Sequence, residues 1–464
     1  MSSGGSDGQP QLLRAVGFWA LTAAVVNLSI GGSIYVLQGI FAGTLGVAAP
    51  LAFLLGGLVF APVTMCVAAA GSRISATGGP YVYVRAAFGP LPSFVTGGIF
   101  WISNFAGAAG LAAALLDQAA QIAPSLSHAL PRGVAAGTTY FLLCALNARG
   151  IRTGAMAIIL LAVVKLLPLL LLVTLGSFSM QAANFHGAAT LTWSSFGSAM
   201  VLVIFCYSGM EIALSPSGEI HDPSRVVPRA TLIAMAAVVL LAVSLQIVAQ
   251  GVLGGHLANN PAPLAAVAAT LVPGSYGAVL LAASISMFGM LQGDLVGSSR
   301  LLYALARDGY LPSILSHVTE RRRVPLPALI AHATVVVLVA TVGTFKSLAL
   351  VSGGAMAIVY IGCCAAAWQL QKQDTREAGA PFVLPGGPWI PLLTSTTLLV
   401  IVLALGRSEW KAICYALLVV MALYGIARWR RTHRGFDTTQ AWSPPSDDRA
   451  RGQFSGASRP PTSG

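Results

Sequence analysis

The sequence predicts an all-α integral membrane protein of about 12 transmembrane helices, an inverted five-helix repeat followed by two C-terminal helices. Three observations predict it. Of the 464 residues, 56% are hydrophobic and 9% charged, where a soluble domain carries about 25% charged residues. Apolar runs of the length that crosses a hydrocarbon core of about 30 Å recur from one end of the chain to the other. Two of those runs contain a helix break halfway along, which in lipid survives only where the freed backbone faces protein or a wet cavity.

Six runs lie at residues 16–40, 47–70, 93–117, 133–147, 155–178 and 194–216, and six more at 230–254, 274–303, 326–344, 347–370, 389–406 and 410–428. The first carries Asn27-Leu-Ser-Ile30-Gly31-Gly32-Ser33-Ile-Tyr35. Its glycines let the backbone leave helical geometry, and the freed N–H groups of Gly31, Gly32 and Ser33, beside Ile30 at the positive end of a half-helix, make a receptor for a carboxylate. A glycine pair also serves plain close packing of helices. Residues 71–92 are amphipathic and rich in Gly and Pro, as suits an interfacial or re-entrant segment. The run at 133–147 is the shortest. In the fifth run Lys165 stands inside a long apolar stretch, and Asp117 closes the third near its outer end. Charge inside a span costs roughly 2.5–3.5 kcal/mol, so both are candidates for function unless they reach an interface.

The sixth run carries the second break, Phe205-Cys206-Tyr207-Ser208-Gly209-Met210-Glu211. Carbonyls freed near Cys206 and Tyr207 would accept a substrate ammonium. Runs one to five and six to ten each begin with a broken helix, and five is odd, so the second copy enters the membrane with opposite polarity. In the eighth run Gly289, Gly293 and Gly297 recur every fourth residue, a spacing that permits a close helix neighbour, and Asp294 projects beside that seam one turn from Ser298. A carboxylate there attracts a cationic side chain or second amine; an ion pair with Lys165, or a protonated Asp294 facing the bundle, are the structural alternatives. The transporter domain spans 13–430, with repeats at about 16–178 and 194–370 and extra helices over 389–428, while 1–12 and 435–464 are polar, Gly-, Ser- and Pro-rich and expected to be disordered.

Lys and Arg sort by loop. Alternate loops and the tails on one side hold 21 of the 26, the other side 4, and Lys165 is left within a span, so both termini are expected in the cytoplasm. The net charge of +12 is then a matter of topology and gives no case for a nucleic-acid partner. The six cysteines have no CxxC spacing, and GxxxxGK[ST], HExxH and GxSxG are all missing, so neither a metal, a cofactor, ATP drive nor those hydrolase chemistries are expected. The polar first dozen residues and the long first run, without a small-residue cleavage site, predict insertion through the first span. The Ala, Gly and Arg bias points to a high-GC bacterium and its inner membrane.

Four stretches then point to one family. They are Gly31-Gly32-Ser33-Ile34-Tyr35; Gly78-Gly79-Pro80-Tyr81-Val82-Tyr83-Val84-Arg85 with Phe88-Gly89; Gly209-Met210-Glu211 followed by Glu219 to Ala230; and Ser298-Ser299-Arg300 through Leu311-Pro312. With Pro385-Gly386-Gly387-Pro388-Trp389, the chain resembles the amino acid, polyamine and organocation permease superfamily over residues 12–430. The resemblance implies a twelve-span carrier of amino acids or related amines, working by alternating access through proton symport or exchange. It implies that Lys165 takes the place of a sodium ion and serves proton coupling, or else tethers two helices; a lysine amine can give and take a proton. It likewise implies that Glu211 couples substrate to a gate or proton, that Phe205 caps the substrate and that Asn104 touches it. Asp294 departs from the family pattern, standing where a tryptophan is usual, with Gln292 for a more usual asparagine. Cationic amino acids, neutral amino acids and polyamines stay open as substrates, and a permease-fold nutrient sensor stays open as another class.

Overall fold

The computed structural model describes residues 17–74, 78–148, 155–186, 192–214, 220, 222–258, 260–319, 324–376 and 381–434. The expected tails at 1–12 and 435–464 and most of the 215–221 stretch lie outside the described residues. The elements are helical throughout: α1 (Phe18–Ser29), α2 (Leu37–Leu45), α3 (Ala49–Arg73), α4 (Pro80–Phe88), α5 (Pro90–Ala120), α6 (Ala129–Ala148), α7 (Ala155–Ser177) and α8 (Trp193–Tyr207). After these come α9 (Met210–Ala213), α10 (Pro223–Leu253), α11 (Pro263–Leu271), α12 (Tyr276–Arg307), α13 (Leu326–Val342), α14 (Phe345–Lys372), α15 (Trp389–Leu403) and α16 (Arg407–Arg434).

Among the described residues, 8 helices are long and apolar enough to cross a membrane, and four shorter apolar ones (Phe18–Ser29, Val164–Ser177, Leu326–Val342 and Trp389–Leu403) accompany them. The predicted run at 16–40 takes in the short helix Phe18–Ser29, the break after it and the start of the Leu37–Arg73 span. Leu392, Leu393, Leu399, Leu403, Leu418 and Val419 on α15 and α16 are exposed, the pattern of helices bathed in hydrocarbon rather than water. In the interior, α14 packs along α5, α10 along α3 and α1, and α12 against α5, α13 and α7. A buried aromatic cluster of Phe60, Tyr207 and Tyr360 ties α3, α8 and α14 together edge to face.

Both breaks fall where the sequence puts them. The helical ladder of α1 stops at Ser29, Gly31 is extended, and one tight 3₁₀ turn over Gly32–Tyr35 leads into α2. The ladder of α8 stops at Tyr207, Ser208 is extended, and Gly209 turns the chain into the short α9 at a φ of 125°. Gly209 is required twice over. That φ is open to glycine and few others, and a Cβ there would stand 2.8 Å from the Leu28 carbonyl oxygen. The second break therefore lies directly on the end of α1, against the first.

The glycine seam of α12 does not draw in a neighbouring helix. A Cβ at Gly289 would meet nothing within 4 Å, and at Gly293 and Gly297 only Leu28 and Ile212 side chains at 3.9 Å. The spacing permits close approach, but the helices opposite present leucine and isoleucine at ordinary contact distance, and the seam stays roomy.

Candidate functional site

The α8–α9 junction opens onto a small cavity in the middle of the bundle. Phe205, Ser208, Gly209, Glu211 and Ile212 form one side. Ser103, Asn104, Gly107, Ala108 and Leu111 of α5, Met290, Leu291 and Asp294 of α12, and Ser352 and Met356 of α14 complete it. The interior is about 40 Å³, room for a few waters. Ser103 Oγ donates to the Ser352 carbonyl at 2.9 Å and Ser352 Oγ to the Ser103 carbonyl at 2.7 Å, a reciprocal clasp that sets α5 against α14 at its rim. Phe205 meets Phe345 edge to face at 6.0 Å between ring centres.

Glu211 folds back on the break. Its two carboxylate oxygens accept the Gly209 N–H at 2.9 and 3.1 Å, and Oε2 also accepts the Tyr360 hydroxyl at 2.9 Å. One buried acid thus satisfies a backbone donor that the broken ladder leaves over. Ser208 Oγ donates to the Phe205 carbonyl at 2.8 Å, closing the α8 side of the same gap.

Asp294 is 7% exposed and faces the cavity, with a hydrogen-bond donor on each oxygen. Ser298 Oγ donates to Oδ1 at 3.0 Å, and the imidazole Nε2 of His332 lies 2.8 Å from Oδ2. The other imidazole nitrogen, Nδ1, accepts the indole N–H of Trp101 at 3.1 Å. His332 comes from α13, is wholly buried, and takes the partnership with Asp294 that Lys165 was one candidate to fill. A neutral imidazole escapes the rule that marks charge inside a span; the lone histidine in Ala331-His332-Ala333-Thr334 of an apolar helix is its signal in the sequence.

The predicted residues divide into two groups. Asn104, Phe205, Gly209, Glu211 and Asp294 share the cavity wall. Ile30, Gly31, Gly32, Ser33, Cys206, Tyr207, Lys165 and Ser298 are outside its lining. Gly31 lies behind the Met290 side chain, and Gly32 behind Met287 and Leu111. Ser33 Oγ points at Cys206 Sγ at 3.8 Å, bridging the two breaks from behind. The Tyr207 hydroxyl turns away to the Phe53 carbonyl at 2.9 Å, and Ser298 reaches the site only through Asp294. Lys165 donates to the Asn27 carbonyl at 2.9 Å, while its own carbonyl accepts the Tyr35 hydroxyl at 2.8 Å, so α7 holds the end of α1 and the turn that follows it. Among the described residues, no group of His, Cys, Asp and Glu is placed to hold a metal ion.

Comparison with known proteins identifies the scaffold. A family model described as amino acid permease matches residues 16–426. The chain is 25% identical over 397 residues to the serine/threonine exchanger SteT of Bacillus subtilis, an alignment covering 82% of this chain and 89% of that one. It is 24% identical over 439 residues to the branched-chain amino acid permease BcaP of the same organism, covering 90% and 94% of the two chains. A third relative, cationic amino acid transporter 9 (chloroplastic) of Arabidopsis thaliana, is 25% identical over 329 residues, 66% of this chain and 58% of the other.

Proposed function

The chain belongs to the amino acid permease family, and we propose that it is a secondary carrier of amino acids that works by alternating access around the cavity at the α8–α9 junction. One observation carries this reading. Unwound backbone at Ser208 and Gly209 lines a cavity that holds Asn104, Glu211 and Asp294 among apolar side chains, and rests on the end of the other broken helix at Leu28. Such backbone is tolerated at membrane depth where it serves a cavity, and paired breaks of this kind bind substrate near the midplane. A twelve-span arrangement with an inverted five-helix repeat over about 16–178 and 194–370, and cytoplasmic termini in a bacterial inner membrane, belongs to the same proposal.

The relatives are named for hydroxyl, branched and cationic side chains, so their names do not choose a substrate. The cavity wall holds two carboxylates, Glu211 and Asp294, and no Lys or Arg, which favours a cationic side chain. A neutral amino acid is the second reading, favoured by the two donors that Asp294 already has. The Gly31–Ser33 turn receives the substrate carboxylate once Met290 moves aside, and Lys165 supports coupling to protons by symport or exchange.

The test is counterflow of labelled arginine and labelled leucine in proteoliposomes holding only this protein, with and without an imposed proton gradient. Saturable, trans-stimulated uptake is expected, driven by the proton gradient at constant sodium. Substrate-independent conductance, or binding without counterflow as in a permease-fold sensor, overturns the carrier reading. A requirement for sodium at fixed pH overturns the coupling role of Lys165.

A further inference from the structure

We propose that His332 is a positioning residue, held by Trp101 as a neutral imidazole, that keeps Asp294 the anionic arm of the cavity and so selects amino acids with a cationic side chain. The inference rests on the carrier reading above and adds a substrate class and two residues to it.

The hydrogen-bond roles follow by elimination. An indole N–H can only donate, so the Trp101 bond at 3.1 Å requires a bare lone pair on His332 Nδ1. A neutral imidazole then carries its proton on Nε2, which points at Asp294 Oδ2 at 2.8 Å. Oδ2 must accept, because an acid proton on it would face an N–H. Oδ1 accepts from Ser298 at 3.0 Å. With Ser298 as the donor to Oδ1, the arrangement suits Asp294 as a carboxylate, both oxygens fixed and acceptor positions to spare.

The same geometry opposes an imidazolium. A proton on Nδ1 would set one N–H against the indole N–H in a wholly buried site, where an unsatisfied donor costs most. His332 thus supplies a donor and no charge. Among the described residues no Lys or Arg makes an ion pair with Asp294, and Lys165 is occupied by the Asn27 carbonyl. The ionisable neighbours from the surrounding elements do not supply a cation either. Glu211 of α9 lines the same cavity and is bonded to Tyr360 of α14. Tyr140, near Asp294, and Cys144, both on α6, bring no positive charge. The one acid of α5, Asp117, pairs with Arg132 near the far end of that helix, and the turn Ser313–Ser316 packed on α13 has no ionisable side chain. A buried carboxylate so placed gains most from a cation brought by the substrate.

The experiment measures KM for labelled lysine and labelled leucine in proteoliposomes of the full chain, from about pH 5.5 to 8.5, a window spanning the ordinary range of imidazole titration. His332→Gln keeps one donor and one acceptor in the places of the neutral ring, whereas His332→Leu keeps neither. Trp101→Phe removes the indole donor and frees Nδ1 to take a proton. His332→Leu is expected to raise the lysine KM roughly tenfold or more and the leucine KM far less, with His332→Gln within about threefold of the parent for lysine. Trp101→Phe is expected to raise the lysine KM steeply as pH falls, beyond any change in the parent, because an imidazolium then neutralises Asp294. If His332→Leu fails to fold, the Trp101→Phe profile and the His332→Gln rescue decide. Equal losses for lysine and leucine, a Gln variant as poor as the Leu variant, or a Trp101→Phe profile parallel to the parent would each overturn the proposal. A parent that moves leucine and not lysine overturns it while leaving the carrier intact; a parent with no counterflow of any amino acid overturns both.

Discussion

Lys165 donates its ammonium to the main-chain carbonyl of Asn27 at 2.9 Å, so a charge on α7 caps the last turn of α1 beside the first break. The last carbonyls of a helix have no partner within it and sit at the negative end of its dipole, a favourable place for a cation. Two roles are joined in one bond: a donor to an otherwise bare carbonyl, and a charge. Lys165→Gln keeps an N–H donor and removes the charge, while Lys165→Met removes both. Lys165→Gln is expected to retain counterflow and lose the response to a proton gradient. Lys165→Met is expected to lose both, since an orphaned buried carbonyl costs about 1–3 kcal/mol. Counterflow and gradient-driven uptake measured on the same liposomes check the separation.

The glycines of the two breaks differ in what they demand. Gly209 has a φ of 125° and its Cβ position is 2.8 Å from the Leu28 oxygen; Gly31 is extended, and a Cβ there would meet Met290 at an ordinary 3.7 Å. Gly209→Ala is expected to cost about 1–3 kcal/mol in backbone strain alone, with displacement of Leu28 added. Gly31→Ala is expected to leave stability nearly unchanged. Thermal melting of the purified variants in detergent should place Gly209→Ala several degrees below Gly31→Ala.

What could be read in advance divides along the same line. A helix break in an apolar run, or a charge within one, is a local signal, and the breaks at 31 and 208, Lys165, Glu211 and Asp294 all announced themselves that way. Partnership is not local. His332 lies 38 residues from Asp294 and 231 from Trp101, and no periodicity in α13 marks which face meets them. For the same reason the every-fourth glycines of α12 showed where a helix could approach, while only the folded chain shows Leu28 and Ile212 standing off at 3.9 Å. The course of the helices was legible because burial in lipid leaves a long signature. The cavity wall was half legible because its members come from five helices.

The turn after α14 carries a pH dependence. Asp374 takes a left-handed backbone with φ of 52°, and its carboxylate receives Arg376 Nε at 2.9 Å and Nη2 at 2.7 Å, while the buried Arg73 holds the Thr375 carbonyl at 3.1 Å. The hydrogen bond from Arg376, helped by its charge and that of Arg73, holds the Asp374 carboxyl below its ordinary value. A depressed acid contributes stability above its ordinary pKa of about 3.9 and loses that contribution as pH falls through its lower folded value. Amide exchange at Gln373 to Thr375, corrected for intrinsic rates, should therefore speed up as pH drops from 7 through that range. Asp374→Asn keeps a residue suited to the left-handed region and should abolish the pH dependence.

Asp308 joins α4 to the end of α12. The Tyr81 hydroxyl donates to its Oδ2 at 2.6 Å, Arg85 Nη1 is paired with the same oxygen, and Arg307 reaches Oδ1 at 3.4 Å, with the Asp308 side chain 3% exposed. Burial pushes the Tyr81 phenol up, and the Asp308 charge pushes it further, so the phenol stays a donor. The acid is the hub, because Tyr81, Arg85 and Arg307 all meet on it. Removing Asp308 takes from the half-buried Arg85 the anion paired with it here; removing Arg85 leaves a buried carboxylate short of a charged donor. Neighbours in one network of this kind couple by roughly 0.5–3 kcal/mol. Asp308→Asn and Arg85→Gln should each lower the melting temperature, and the double variant should melt no lower than the worse single one, since each change removes the partner whose loss makes the other costly. Additive losses would mean that α4 is held to α12 by packing of the Tyr81 and Val82 side chains instead, and then Tyr81→Phe, which spares that packing, should cost little.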